Sequence, residues 1–202
     1  EGLRLVATDS YRLAVRDLPG TNVLGHGQKV VIPSRALGEL QRLLNQGDEV
    51  TLCLAEDRAT FAVGNATLST SLLQVEFPNY RQLIQPSYPN TLTVAREALL
   101  EAVRRCRIFA RETTPVRLEM TATSLKLSVI TQDIGNSEEE IDCSLEGTEM
   151  TVGFNPEYLA AGIEAVTGDE ITIQTTDPQR PAVLRGVGAD DYLYLVMPQR
   201  LT

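Results

Sequence analysis

The chain has 202 residues, which is enough to bury one large hydrophobic core or two small ones without disulfide bonds. Hydrophobic residues make up 43% and charged residues 22%, as in ordinary folded proteins, and no apolar run reaches the ~18 residues that a membrane-spanning helix needs. With 18 basic and 27 acidic residues and only 5% aromatics, the composition argues against binding nucleic acid by bulk positive charge or by base stacking.

The first strand–helix pattern begins at Val30. The β-branched run Val30–Ile32 predicts a strand that ends at Pro33, and Ser34 is a candidate N-cap for the helix that follows. Gly47 predicts the end of that helix and a turn into a new strand. The apolar face of the helix is marked by Leu37, Leu40, Leu43 and Leu44.

The same pattern recurs twice along the chain. Leu92–Val94 predicts a strand before the second helix, and Val152–Asn155 precedes the third helix, where Pro156 suits the first helical position. Leu37, Leu99 and Leu159 stand 62 and 60 residues apart, so the repeating unit has about 60 residues. The apolar stripes of these two helices are Leu99, Leu100, Val103 and Cys106, then Leu159, Ile163 and Val166.

The segments after each helix alternate between apolar and polar residues, as in Leu68–Leu72, Val116–Met120 and Leu125–Val129. Such alternation predicts strands with one buried and one solvated face. We therefore predict an α+β fold dominated by antiparallel sheet, with one helix per repeat packed on a sheet face. The segment 77–90 contains three prolines and no clear period, which makes it the best linker candidate.

Signals for catalysis are weak. The stretch Gly25–Gly27 is too short for a phosphate-binding loop, and we interpret it as a mobile loop that carries the single histidine, His26. Three cysteines without close spacing do not suit a structural zinc site, so we expect buried free thiols in a reducing cytosol. These cysteines are Cys53, Cys106 and Cys143.

The densest acidic run is Glu138–Glu140 with Asp142. Carboxylates at this spacing could hold a metal ion in an enzyme, which is one alternative for the function. The simpler interpretation is a solvated strand edge whose charges prevent edge-to-edge pairing.

Arginine is concentrated in the second predicted helix. Residues 96–111 hold five arginines against two glutamates, in a chain of net charge −9. The first helix adds two arginines against Glu39, and the third helix has none. The pattern predicts a basic face on two helices, although arginines that extend along wet helix faces would give the same pattern.

Three further segments resemble the β sliding clamp family of bacterial DNA polymerase III: Val6–Val15, Phe77–Ile84 and Tyr194–Leu201. Their order, their spacing and the terminal position of the last make the resemblance specific, and it covers the whole chain. It implies a DNA-clamp fold, with residues 1–84 as the second part of the middle domain and 85–202 as the complete C-terminal domain. The family's N-terminal domain would then be absent, and this chain alone would not close a ring.

The resemblance also implies a non-enzymatic processivity factor of the bacterial cytoplasm, associated with the nucleoid and without a cofactor. A ring around duplex DNA holds by topology, so a few arginines on the lining helices would contact phosphates only loosely. Subunits would join head to tail into a homodimer ring, with Ile108 and Phe109 at the contact. The implied DNA-facing residues are Arg35, Arg42, Arg104, Arg105 and Arg107.

A further implication is a groove that captures short linear peptides of the replicative polymerase, the clamp loader and repair proteins. Leucine, methionine and proline would give it an adaptable floor, and Arg12 and Arg200 would bond peptide carbonyls. Ser10, Gln82 and Gln199 depart from the residues common in the family. The implied groove residues are Thr8, Tyr11, Arg12, Leu13, Pro78, Leu83, Asn155, Tyr158, Leu195, Met197, Pro198, Gln199, Arg200 and Leu201.

A β-rich interaction module that binds peptides without encircling DNA is the main alternative. The arginine-rich helix distinguishes the two, because a protein that only binds peptides has no reason to concentrate five arginines there.

Overall fold

A computed structural model describes residues 2–21, 24–25, 27–111, 114–132 and 134–201. His26 and Thr202 lie outside the described residues. The chain divides into two compact units, the first made of residues 1–3 and 19–79 and the second of residues 4–18 and 80–202. None of the helices in the described ranges is long and apolar enough to cross a membrane.

The described residues form three α-helices and thirteen strands. The helices are α1 (Ser34–Leu43), α2 (Arg96–Arg107) and α3 (Pro156–Glu164), with single 3-10 turns at Leu44–Gln46 and Tyr80–Leu83. The strands are β1 (Gly2–Thr8), β2 (Arg12–Pro19), β3 (Val50–Leu54), β4 (Arg58–Val63), β5 (Ala66–Ser71), β6 (Asn90–Ala95), β7 (Val116–Met120), β8 (Ser124–Thr131), β9 (Gly135–Glu146), β10 (Met150–Phe154), β11 (Glu170–Thr175), β12 (Ala182–Gly186) and β13 (Tyr192–Val196).

The first unit contains α1 and an antiparallel sheet in the order β3-β4-β5. Its buried side chains include Ala36 of α1 and alternate residues of β4, namely Ala59, Phe61 and Val63. The period-2 pattern of β4 therefore places one face in the core, as alternation requires.

Two expectations for the first repeat are wrong, the strand and the helix cap. Val30–Ile32 forms no strand, although the Leu73 amide donates to the Val31 carbonyl at 2.8 Å. Ser34 is the first helical residue and makes no capping bond; Pro33 stands at the cap position instead, because its ring fixes an extended backbone there. The leucine face of α1 is only partly covered: Leu37 and Leu44 remain 42% and 46% exposed. Gly47 ends the following 3-10 turn, as predicted.

The second unit is built on a ten-stranded sheet in the order β1-β2-β13-β12-β11-β6-β9-β8-β7-β10. Its described registers are antiparallel, and β11 lies between β6 and β12 with Ile171 opposite Val94 and Ile173 opposite Leu92. Helices α2 and α3 pack against each other and against the sheet. The prediction of an α+β fold dominated by antiparallel sheet is confirmed.

The helix stripes predicted for the second and third repeats are confirmed. Each of the seven apolar residues assigned to them is buried, and they form one core with Phe154. Pro156 is the first residue of α3, and the Asn155 side chain caps that helix by accepting from the amides of Glu157 and Tyr158, at 2.9 and 3.3 Å. The capping asparagine and the proline explain why α3 begins where it does.

The expectation of three buried thiols is wrong for two of them. Cys106 is buried, Cys143 is half-buried and Cys53 is exposed on β3, because the outward position of a strand puts its side chain in solvent. Burial raises the pKa of the Cys106 thiol.

Each glutamate of the acidic run on β9 has its own partner. Glu138 pairs with Lys126 at 2.9 Å, Glu139 pairs with Arg105, and Glu140 accepts from the Ser124 hydroxyl. No group of three or more histidine, cysteine or acidic residues among the described ones is arranged to hold a metal ion.

Candidate functional site

The turn between β1 and β2 is organised by Asp9. Its Oδ1 accepts hydrogen bonds from the amides of Tyr11 and Arg12, both at 3.1 Å, and its Oδ2 accepts from Arg12 Nε at 2.9 Å. The Thr8 hydroxyl donates to the Arg12 carbonyl at 2.8 Å, and Ser10 adopts a left-handed conformation with φ of 75°. This Asx-type turn presents the ring of Tyr11, which is 62% exposed.

Arg12 holds Tyr158 in place. Its guanidinium lies 4.4 Å from the centroid of the Tyr158 ring, and Tyr11 stacks on the same ring with centroids 6.3 Å apart. Tyr194 donates its hydroxyl to the Tyr158 carbonyl at 2.8 Å. Burial disfavours the charge on Arg12, but its hydrogen bonds with Asp9 and Tyr194 outweigh that cost and raise its pKa. Arg12 is therefore engaged in positioning an aromatic ring.

The end of the chain lies between the turn and β10. The Met197 amide donates to the Tyr11 carbonyl at 2.9 Å, and the Gln199 amide donates to the Gly153 carbonyl at 2.8 Å. Gly153 is paired with Gln199 in an isolated bridge and lies close to Leu201, so the tail follows the edge of β10. Met197 and Leu201 stay exposed while their backbone is held.

Leu13 and Leu195 lie opposite each other on β2 and β13 and are each 2% exposed. They form a second small core with Val15, Val183 and Leu193, so they act as a support under the groove rather than as its open surface.

The structure brings most of the predicted groove residues together. Tyr11 and Arg12 contact the Tyr158 ring, and Tyr11 also holds the tail. Thr8 bonds Arg12, and Asn155 contributes as the cap of the helix that carries Tyr158. Leu83 is exposed on its 3-10 turn, Arg200 is exposed on the tail, and Pro78 belongs to the first unit.

Sequence reasoning missed Asp9, Gly153 and Tyr194. Asp9 carried a usable signal, because aspartate before a two-residue turn favours this side-chain-to-backbone bonding. Gly153 and Tyr194 carried none, since their roles depend on partners 46 and 36 positions away, Gln199 and Tyr158.

A notch of about 270 Å³ adjoins Tyr158. It lies where α2 and α3 meet, and it joins the groove side of α3 to the arginines of α2. Its lining residues are Arg12, Arg107, Glu157, Tyr158, Ala160, Ala161 and Glu164.

Four of the five arginines predicted to face DNA are paired with carboxylates. Arg104 bonds Glu101 at 2.9 Å and Glu164 at 3.0 Å, and Arg107 bonds Glu157 at 2.7 Å. Helices α2 and α3 together contain four arginines and four glutamates, so α3 balances the surplus of two positive charges on α2 and reduces the surplus of three over residues 96–111 to one.

The other arginines of the predicted set differ in their pairing. Arg105 bonds Glu139 through two parallel contacts of 2.9 Å, and Arg42 bonds Glu39 at 2.8 Å. Arg35 is exposed and makes no ion pair with a carboxylate of the described residues.

An apolar patch follows α2. Ile108 is 74% exposed, and Phe109 packs half-buried against the core while its carbonyl accepts from the Thr131 hydroxyl at 2.6 Å. Ile130 and Ile134 are also exposed. A patch of this kind on a well-folded unit is typical of a protein interaction surface.

Comparison with known proteins decides the family. Residues 1–79 match the profile of the DNA polymerase III beta subunit, central domain, and residues 81–200 match that of its C-terminal domain. The chain belongs to the DNA polymerase III beta subunit family. This assignment confirms the family indicated by the three sequence segments.

The curated relatives are named Beta sliding clamp. The chain is 30% identical to the protein of Synechocystis sp. over 218 residues and 32% identical to that of Synechococcus elongatus over 208 residues. All of the chain is covered in both cases, but only 56% of each relative, so it spans about half the length of the curated relatives it matches.

Solved structures of the family have the same fold. A DnaN sliding clamp from Bartonella birtlesii, bound to griselimycin, superposes with a TM-score of 0.91 at 31% identity over 99% of this chain and 55% of that one. The Caulobacter crescentus pol III beta structure gives 0.90 at 27% identity, covering 99% and 55%. The DNA-clamp fold expected from the sequence is thereby confirmed.

Proposed function

We propose that this chain forms part of a DNA sliding clamp that encircles duplex DNA and tethers the replicative polymerase. The observation that carries the proposal is the ordered match of its two parts to the central and C-terminal domains of one family. Residues 1–84 then belong to the middle domain and residues 85–202 form the C-terminal domain. The protein acts without catalysis or a cofactor, in the bacterial cytoplasm at the nucleoid.

The proposed contact with DNA has low affinity. Arg35, Arg42, Arg104, Arg105 and Arg107 face the duplex from the lining helices, and topology rather than affinity retains the ring. Exposed ion pairs support this proposal, because they leave the helix face close to neutral and so permit sliding.

The proposed partner site is the groove at the chain end. The exposed ring of Tyr11, the ring of Tyr158 and the side chains of Met197, Pro198 and Leu201 offer apolar contact to a short linear peptide. Such peptides would come from the polymerase, the clamp loader and repair proteins. The remaining proposed groove residues are Thr8, Arg12, Leu13, Pro78, Leu83, Asn155, Leu195, Gln199 and Arg200.

The proposed ring contact is the patch at Ile108 and Phe109. The adjoining part of β9, residues 135–142, has its described pairings with β8, whereas β6 pairs only with residues 143–146. An apolar patch beside strand backbone without a second partner in the described residues suits a head-to-tail contact between subunits.

A topological assay tests the proposal. The full-length subunit that carries this sequence is loaded onto nicked circular DNA, and retention is measured before and after the circle is cut at one site. We expect retention on the circle and rapid loss after linearisation. Equal retention on both forms, or peptide binding without any retention, would favour the peptide-binding module that does not encircle DNA.

A further inference from the structure

The arginines of α2 are not equally available to a new anion. Arg105 and Glu139 make two parallel hydrogen bonds, and Glu139 is only 24% exposed, so this pair is fixed and hard to exchange. Arg104 and Arg107 instead pair with Glu164 and Glu157 through exposed partners on both sides. Ion pairs of this exposed kind contribute little to stability and exchange readily.

The two exchangeable glutamates come from a different helix. Glu157 lies in the first turn of α3 and Glu164 is its last residue, so one carboxylate stands at each end of the helix. Arg104 and Arg107 lie almost one turn apart on α2. The two helices thus place one carboxylate against each arginine along their shared boundary.

We infer that Glu157 and Glu164 compete with DNA phosphates for Arg107 and Arg104. Each phosphate contact then requires the exchange of an existing ion pair, with the carboxylate released to water. This inference rests on the proposed function, since it concerns the helix face assigned to DNA. It adds a role for two α3 glutamates that lie outside the residues assigned to DNA contact.

This exchange of carboxylate for phosphate accounts for weak DNA binding by a helix that is rich in arginine. The displaced carboxylate stays on α3, so each bound phosphate brings a further negative charge close to a negative charge of the protein. Without the two α3 glutamates, Arg107 would neutralise one more phosphate and release one more counterion, and Arg104 would keep only its pair with Glu101. The glutamates therefore lower both the affinity and the salt dependence of DNA contact.

The test uses charge-neutral, isosteric substitutions in the full-length ring. The double variant Glu157→Gln, Glu164→Gln is titrated with a labelled duplex of about 30 bp at salt concentrations from about 25 to 150 mM. We expect tighter binding by about two- to fivefold for each released arginine. The slope of log affinity against log salt should steepen by up to about 2.

A matched control separates a local effect from bulk charge. The double variant Glu49→Gln, Glu56→Gln makes the same change in net charge at two exposed positions on either side of β3. We expect its duplex affinity to stay near the wild-type value. Equal tightening in both double variants, or no tightening in the α3 variant, would overturn the inference.

A third variant distinguishes failure of the inference from failure of the proposed function. Arg104→Ala, Arg107→Ala should weaken duplex binding if the helix face meets DNA. If this variant weakens duplex binding while the α3 glutamine variant leaves it unchanged, the helix face meets DNA but the glutamates do not compete with the phosphates. When neither has any effect, the DNA assignment of the face is wrong and the inference falls with it. Polymerase-peptide affinity and the melting temperature are measured on every variant to confirm intact folding.

Discussion

Arg12 and Arg16 stand four positions apart on β2 and use similar chemistry on two different tyrosines. Arg12 covers Tyr158 in the groove, whereas Arg16 covers Tyr192 at 4.7 Å and donates to the Ala165 carbonyl at 3.1 Å, just past the end of α3. The first contact orients a proposed binding residue, and the second ties a helix end to the sheet.

This pair of arginines gives the first prediction. Arg12→Ala should lower the affinity for a labelled polymerase-tail peptide by about tenfold, because the Tyr158 ring loses its cation–π partner and Asp9 loses a charged donor. Fluorescence polarisation measures the affinity. Arg16→Ala is the control and should lower stability without changing peptide affinity. Equal losses in both variants would show that Arg12 acts only through stability.

Asn90 is the best-bonded buried polar side chain of the second unit. Its amide nitrogen donates to the carbonyls of Thr175 and Thr176 at 3.2 and 3.1 Å, and its oxygen accepts from the Thr148 amide at 2.8 Å. Gly147, with φ of 123°, packs against it where a Cβ would stand 2.4 Å from the Asn90 oxygen. The side chain thus joins three segments of the sheet.

Removing that side chain should be costly. Asn90→Ala leaves three backbone groups without their partner, and we expect the free energy of unfolding to fall by about 2–4 kcal/mol. Urea denaturation measures the change, and Asn136→Ala at an exposed position of β9 is the control, with an expected change below about 0.5 kcal/mol. A loss for Asn90→Ala no larger than the control's would mean that water replaces these bonds.

At the residue scale, sequence reasoning succeeded where the cause is local. Pro156 at the start of α3 and the buried stripe of α2 follow from backbone constraint and period. The charge of the helix face did not follow, because Glu164 pairs with an arginine 60 positions earlier in the chain. Counting charges within one helix cannot include a neighbour that only folding supplies.

At the element scale, α1 and α2 show what an apolar stripe does and does not predict. Both helices have the predicted period, and the stripe of α2 is fully buried. The stripe of α1 keeps Leu37 and Leu44 exposed in this chain. The period identifies the apolar face, whereas burial depends on the surface that covers it.

The tail after β13 is the element on which the proposed peptide site depends. Residues 197–201 are held by two backbone bonds, from Met197 to Tyr11 and from Gln199 to Gly153. Deleting residues 197–202 should abolish binding of the polymerase-tail peptide while the repeat fold survives, because the deletion removes groove wall and no core strand. Fluorescence polarisation and a melting curve measure the two effects. Wild-type affinity in the shortened protein would place the groove elsewhere.

A single substitution gives a finer version of that test. A Cβ at Gly153 would stand 2.7 Å from the Leu201 side chain and 2.9 Å from the Gln199 carbonyl, so Gly153→Ala should displace the tail and weaken peptide binding. Gly38→Ala in α1 meets nothing within 4 Å and should keep wild-type affinity.

At the scale of the whole molecule, the net charge disfavours DNA binding, whereas the clamp fold favours it. The two agree if a closed ring holds the duplex by topology. A net charge of −9 disfavours nucleic-acid binding by attraction, and the nearly neutral α2–α3 face agrees with that. A ring needs no net attraction, since it cannot leave a closed duplex. The sequence indicated the family through three ordered segments, but no single composition value predicted it.

Ring closure is the prediction that belongs to this scale. A head-to-tail contact is heterologous, so it closes only when both complementary surfaces are present. The 202 residues on their own carry the proposed Ile108 surface but span 56% of the relatives' length, so sedimentation velocity should give a single species at monomer mass.

In the full-length subunit, Ile108→Glu should convert the dimer ring to monomers, because it places an unpaired charge in an apolar contact. Val187→Glu makes the same kind of change at another exposed apolar residue and should leave the dimer intact. A stable two-fold ring of the 202-residue chain, or a dimer that tolerates Ile108→Glu, would show that the contact lies on another surface.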